Sequence, residues 1–188
     1  MDALLLSLVC CLLNELGGRI QLLGLALSVR FRVFHPLFWG LLAATAANAT
    51  ISATAGSLLA PLLTAQARQL FVAMALIFAS LGLLARPRAP DTLSGWRTGP
   101  FWTSALGIFI LGFSDGSQFL ILAFAARSAD PAMAAVGGGM GVMLACLPVL
   151  LLGANFFTSL PLRLVRLMAG CLFMAVGAGM ALSAIGLL

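Results

Sequence analysis

Apolar residues run along the chain in six blocks, at about 3–29, 36–60, 68–85, 101–126, 132–154 and 165–187. Each comes close to the roughly twenty residues that a helix needs to cross a bilayer. The blocks are separated by short polar connections, except at 86–100, RPRAPDTLSGWRTGP, where Pro, Gly, Asp and Arg mark a true linker. The pattern predicts an all-α integral membrane protein with six transmembrane helices. Residues 1–85 and 101–188 form its two three-span halves, with 86–100 as a cytoplasmic linker between them.

The halves resemble each other. A shift of 97 positions lays QLLGLALSVR (21–30) on QFLILAFAAR (118–127), matching Gln, two Leu, one Ala and the final Arg. The same shift lays Gly40 on Gly137 and Gly56 on Gly153. Because each copy holds an odd number of spans, the second must enter the membrane from the opposite side. Two inverted three-helix repeats are therefore expected, a plan that places a transport site near the midplane where the repeats meet.

Composition confirms the class and narrows the partners. The chain is 62% hydrophobic and 8% charged with a mean hydropathy of +1.15, whereas soluble domains carry about 25% charged residues. The net charge of +5 comes from arginines alone. Arg30, Arg32, Arg86, Arg88, Arg97, Arg163 and Arg166 fall on one side of a six-span chain, against Arg68 and Arg127 on the other. That asymmetry sets topology and predicts both termini outside the cytoplasm. It is no footprint for nucleic acid, and the expected surroundings are membrane lipid, with a homo-oligomer left open. The amino-terminal MDALLLSLVCCLLNELGG lacks a basic flank and reads as a retained helix, not a signal peptide. Absence of Lys and Tyr, with abundant Ala, Leu and Gly, suggests a GC-rich bacterial genome and hence a bacterial inner membrane. The four cysteines lie within apolar runs, and no cofactor motif or nucleophile–His–acid set points to an enzyme.

Against this background the polar residues inside the spans stand out. Glu15 and Asp115 are the acids expected near the middle of a span, where an ionisable group costs about 2.5–3.5 kcal/mol on insertion scales and marks function. Under the 97-residue shift, NELGGRIQ (14–21) meets LGFSDGSQ (111–118), and both acids sit beside glycines. Glycine weakens a helix by about 1 kcal/mol relative to Ala and permits unwinding that frees backbone carbonyls as ion ligands. In a straight helix Glu15 and Arg19 share a face, so an intrahelical ion pair is one reading of them. Gln21 points away from that face and reaches the same cavity only if the helix breaks at Gly17–Gly18. Ser114, Ser117 and Gln118 are candidates to hydrogen-bond Asp115. Thr45, Asn48 and Ser52 read first as contacts between helices.

These motifs resemble those of the transmembrane protein 165-like family, manganese/calcium:proton antiporters within the lysine-exporter superfamily. Its signature, Glu-x-Gly-Asp-(Lys/Arg)-(Ser/Thr) followed by Gln, occurs once in the first span and once in the fourth. ELGGRIQ keeps Glu15, Gly17, Arg19 and Gln21, with Gly18 in the Asp position and Ile20 in the hydroxyl position. GFSDGSQ keeps Asp115, Ser117 and Gln118, with Gly112, Ser114 and Gly116 departing from the pattern. The resemblance spans essentially the whole chain, through LRLVRLMAGCLFMAVG at the entry to the last span. It implies export of a divalent cation, manganese or calcium, in exchange for protons by alternating access. The implied ion ligands are Glu15, Asp115, Gln118, Gln21 and Ser117, with Glu15, Asp115 and Arg19 in transport and coupling. A carboxylate that gives up its ion in a dry midplane takes a proton in its place. Two other readings share the pattern: export of an amino acid or similar solute, with Arg19 meeting a carboxylate, and a divergent membrane protein without transport.

Overall fold

The computed structural model describes residues 2–85, 90–91, 93–113, 115–153, 155–156 and 161–187. Arg86 and Arg88 of the expected linker, Ser114 beside Asp115 and the expected end of the fifth span at Ala154 lie outside the described residues. The described elements are helical: α1 (Asp2–Glu15), α2 (Arg19–Phe31), α3 (Phe34–Leu59), a short 3-10 turn (Ala60–Leu62), α4 (Ala65–Leu84), α5 (Pro100–Gly112), α6 (Gly116–Arg127), α7 (Pro131–Leu152) and α8 (Leu162–Ala184). Four stretches are long and apolar enough to cross a membrane unbroken: Phe34–Leu62, Ala65–Leu84, Pro131–Leu152 and Leu162–Ala184. The other two expected spans are bent pairs, α1 with α2 at 62° and α5 with α6 at 66°.

Local chemistry sets these boundaries. Pro100 and Pro131 stand in the first turns of α5 and α7, where a missing N–H costs nothing. Thr64 and Asp130 cap α4 and α7 through side-chain bonds to the amides of Ala67 and Ala132. Large apolar side chains such as Leu5, Trp39, Phe78, Trp102 and Met168 are exposed, as lipid-facing positions require. The linker residues Leu93 and Trp96 are held by the Arg30 guanidinium, which donates to both carbonyls, the Trp96 bond measuring 2.7 Å.

The 97-residue spacing of the sequence recurs in the helices. Arg19, Phe34 and Ala65 open α2, α3 and α4, while Gly116, Pro131 and Leu162, each 97 positions later, open α6, α7 and α8. Contacts between the halves recur with the same exchange. Ser7 on α1 donates to the Ala134 carbonyl on α7 at 2.8 Å, and Ser104 on α5 donates to the Leu37 carbonyl on α3 at 3.1 Å. A Cβ on Gly40 would stand 2.7 Å from the Phe101 carbonyl oxygen, and one on Gly137 would stand 2.1 Å from that of Leu4. Glycine at both positions lets backbone approach backbone where no side chain fits. Every residue in these pairs has its counterpart 97 positions away.

Candidate functional site

Each bent span is interrupted at a carboxylate, Glu15 at the end of α1 and Asp115 just before α6. In the first, α1 stops at Glu15, and Gly17 takes a left-handed φ of +68° that favours glycine. The break is held open by side chains. Gln21 accepts the Gly17 N–H at 2.7 Å and donates to the Ala145 carbonyl of α7 at 2.6 Å. Both ends of its amide are thereby engaged, so in this conformation Gln21 shapes the break from a fully buried position. In the second span Asp115 is the N-cap of α6, its Oδ2 accepting the Ser117 N–H at 3.1 Å.

The two breaks meet. Ser117 donates its hydroxyl to Glu15 Oε1 at 2.7 Å, so one residue binds both carboxylates. Asn14 joins them, its amide nitrogen donating to Asp115 Oδ2 at 3.2 Å and to the Ser117 hydroxyl at 2.9 Å. Glu15 is completely buried, and its second oxygen, Oε2, has no hydrogen-bond partner. A buried carboxylate oxygen in that position is costly unless a cation or a proton meets it. The helix ends sharpen the contrast: Glu15 stands at the electronegative end of α1, Asp115 at the electropositive end of α6. Among the described residues no cluster of three or more His, Cys, Asp or Glu side chains is found. A divalent ion here would have to complete its oxygen shell with hydroxyl, amide or backbone oxygens.

Two cavities reach this junction. One of about 490 Å³ is bordered by Asn14, Gly18, Arg19, Asp115 and Arg166, with Gly82 and Ala85 from the end of α4. A second of about 440 Å³ lies between α3 and α6, bordered by Ser52, Asp115, Gln118 and Phe119. Asp115 and Phe119 border both. Gln118 accepts the Ser52 hydroxyl at 2.8 Å. Arg19 is exposed at the start of α2 while Glu15 is buried at the end of α1, because the bend separates the face they would share in a straight helix. The expected Glu15, Asp115 and Ser117 thus converge, with Gln118 beside Asp115 on the second cavity, Arg19 in the first, and Gln21 behind the break.

Asn14 and Arg166 join the site without having been assigned to it from the sequence, and Asn48 makes the helix contact expected of it between α3 and α5. Asn14 precedes Glu15 directly and bonds Asp115 and Ser117, reaching the Glu15 carboxylate only through the Ser117 hydroxyl. Asn48, read as a helix contact, donates to the Phe109 carbonyl at 3.1 Å and keeps its Oδ1 buried and unpartnered. Arg166, counted from the sequence among the arginines of the connections, is buried one turn into α8 with 9% of its surface exposed. Its position at the head of the apolar run LMAGCLFMAVG, one turn beyond Arg163 near the start of α8, is the signal that singles it out.

Comparison with known proteins follows the same lines. The sequence profile described as divalent cation/proton antiporter GDT1 matches residues 3–90 and 100–186. A protein of Vibrio cholerae serotype O1 (strain ATCC 39541 / Classical Ogawa 395 / O395) named "Putative manganese exporter" is 30% identical over 179 residues, covering 93% of this chain and 88% of that protein. No solved structure matches the chain.

Proposed function

The chain belongs to the GDT1 family of divalent cation/proton antiporters, and from that premise we propose that it exports manganese in exchange for protons by alternating access. Calcium is the second ion that the same oxygen chemistry accommodates. The observation that carries this reading is the unpartnered Glu15 Oε2, fully buried beside Asp115 at the junction of two broken spans. The ion sits between Glu15 and Asp115, with Ser117 and Gln118 contributing oxygens and Gln21 holding the first break in shape. Asp115 keeps its amide bonds at the head of α6, so Glu15 is the carboxyl that trades the ion for a proton.

Alternating access draws support from Asp115 bordering both cavities, and from contacts that exchange between the halves at a 97-residue spacing. Two repeats of three spans related in this way are inverted in the membrane, and rocking one against the other exposes a central site to each side in turn. The excess of arginine in the linker and on its side of the chain supports a cytoplasmic linker with both termini outside. A bacterial inner membrane is the setting we assign. A manganese-specific name on a relative that matches most of the chain makes manganese the first ion to try.

Flux through proteoliposomes loaded with manganese and given a pH gradient tests the proposal. Wild-type protein is expected to move manganese against the proton gradient, and Asp115→Asn and Glu15→Gln are each expected to lower that flux by about a hundredfold or more, since each removes one of two charges facing the ion. Undiminished flux in both variants would remove these acids from the site. Because Arg19 is exposed in the larger cavity, amino-acid flux lost in Arg19→Ala but kept in Glu15→Gln would favour a solute exporter instead.

A further inference from the structure

The guanidinium of Arg166 makes no use of the two acids as direct partners. Nη1 donates to the carbonyl of Gly17 at 2.8 Å, with Leu16 at 3.5 Å, and Nη2 donates to those of Gly82, Leu83 and Ala85 at 3.0, 3.1 and 3.1 Å. These oxygens come from two places where helices end, the break after α1 and the last turn of α4. Helix C-termini carry unpaired carbonyls and a partial negative charge, so one buried cation satisfies both ends together. The arginine stem also lies against the break: a Cβ on Gly17 would meet Arg166 Cδ at 3.0 Å. Arg166 thereby fastens α8 to the first break and to α4.

Its repeat counterpart behaves differently. Gln69 on α4 lies 97 positions earlier and donates to the Met180 carbonyl of α8 at 3.2 Å. Met180 is in turn the counterpart of Leu83, so the two bonds are equivalent by position. One side of the molecule is fastened by a charged group that reaches the broken span, the other by a neutral amide with one bond to the facing helix. The charged side borders the larger cavity with Asp115, and Arg166 bonds the Gly17 carbonyl two residues after Glu15.

We propose that Arg166 is a positioning residue, a charge latch that holds the larger cavity open in the ion-free protein and is loosened when a divalent cation enters between Glu15 and Asp115. Exchange of the Glu15 proton for a divalent ion adds one net positive charge that weakens the hold on the guanidinium, while the neutral contact at Gln69 is insensitive to it. Ion binding then favours the conformation in which the latch is released, because the ion interacts differently with the two states. The latch's response to the ion rests on the manganese reading above. Its role in the empty protein does not.

The test is labelling of Gly82→Cys by a membrane-impermeant maleimide, in a chain whose Cys10, Cys11, Cys146 and Cys171 are changed to Ala. Gly82 borders the cavity, and a Cβ there meets nothing within 4 Å. Without ion, Arg166→Gln is expected to slow labelling about tenfold, the scale of losing a strong charged hydrogen bond, and Arg166→Lys to recover most of the rate by restoring the charge. Manganese is expected to slow labelling with Arg166 or its Lys replacement present and to have little further effect on Arg166→Gln. Labelling of ion-free Arg166→Gln at the unaltered rate overturns the latch. If Arg166→Gln does not fold, Arg166→Lys decides through its response to manganese, and a folded Lys variant without that response also overturns it. Manganese that binds, by direct titration, yet leaves labelling unchanged overturns the unlatching step. Absence of manganese binding in unaltered protein overturns the ion reading instead, and the ion-free comparison still judges the latch.

Discussion

Where the first broken span ends its first helix on a carboxylate, the second ends on glycine; where the second starts its second helix on a carboxylate, the first starts on glycine. Glu15 and Gly112 close α1 and α5, and Gly18 and Asp115 are the N-caps of α2 and α6. Both pairs stand 97 positions apart. The helix boundaries around the two breaks match at this spacing while the charges are complementary, one acid from each break and on opposite ends of the helix dipoles. Two acids on one break would repel each other across a short turn. Divided between the breaks, they are joined by Ser117 and Asn14.

The glutamines break the comparison most sharply. Gln21 and Gln118 match in sequence, yet Gln21 spans from the first break to α7 by two short bonds and is fully buried, while Gln118 receives one bond from Ser52 at the edge of a cavity. Gln21→Ala is expected to destabilise the protein by about 2–3 kcal/mol, because it strands a buried donor and a buried acceptor. Gln118→Ala is expected to cost about 1 kcal/mol or less of stability and to raise the KM for the ion instead. Thermal unfolding in detergent with flux kinetics on the same preparations separates the two, and equal stability losses would erase the distinction.

The smallest effect comes from making the breaks alike. Gly18 has the extended φ and ψ of an N-cap but no side chain to use there, unlike Asp115. Gly18→Asp gains an N-cap bond worth only a few tenths of a kcal/mol over glycine, and crowding of its Cβ against the Glu15 carbonyl oxygen at 3.0 Å offsets that gain, so stability is expected to stay within about 0.5 kcal/mol. A Cβ at that position stands 3.0 Å from Glu15 Oε2, so the new carboxylate adds charge directly beside the orphaned oxygen. Tighter manganese binding is the expected companion, and unaltered affinity would place Gly18 outside the ion's reach.

Much of this is legible in the sequence itself. The apolar blocks gave the spans, and the 97-residue match of Gln21–Arg30 with Gln118–Arg127 anticipated helix starts that recur at the same spacing. Glycines beside buried acids foretold breaks at Gly17–Gly18 and around Asp115. What hydropathy does not carry is direction. Arg166 lies next to a connection and counts as a topology arginine, and only the folded chain turns it inward onto the carbonyls of Gly17 and Leu83. Straight-helix geometry pairs Glu15 with Arg19, and the 62° bend undoes that pairing. Gln21 has the composition of a ligand, but its partners come from α7, far away in sequence.

Equilibrium titration of purified protein with manganese tests the shared site most directly. One ion per chain is predicted for the unaltered protein, with affinity falling about a hundredfold or more in Glu15→Gln and again in Asp115→Asn, since each supplies half of the charge around one ion. Two ions per chain, or one ion still bound tightly after either substitution, would contradict a single site built from both broken spans.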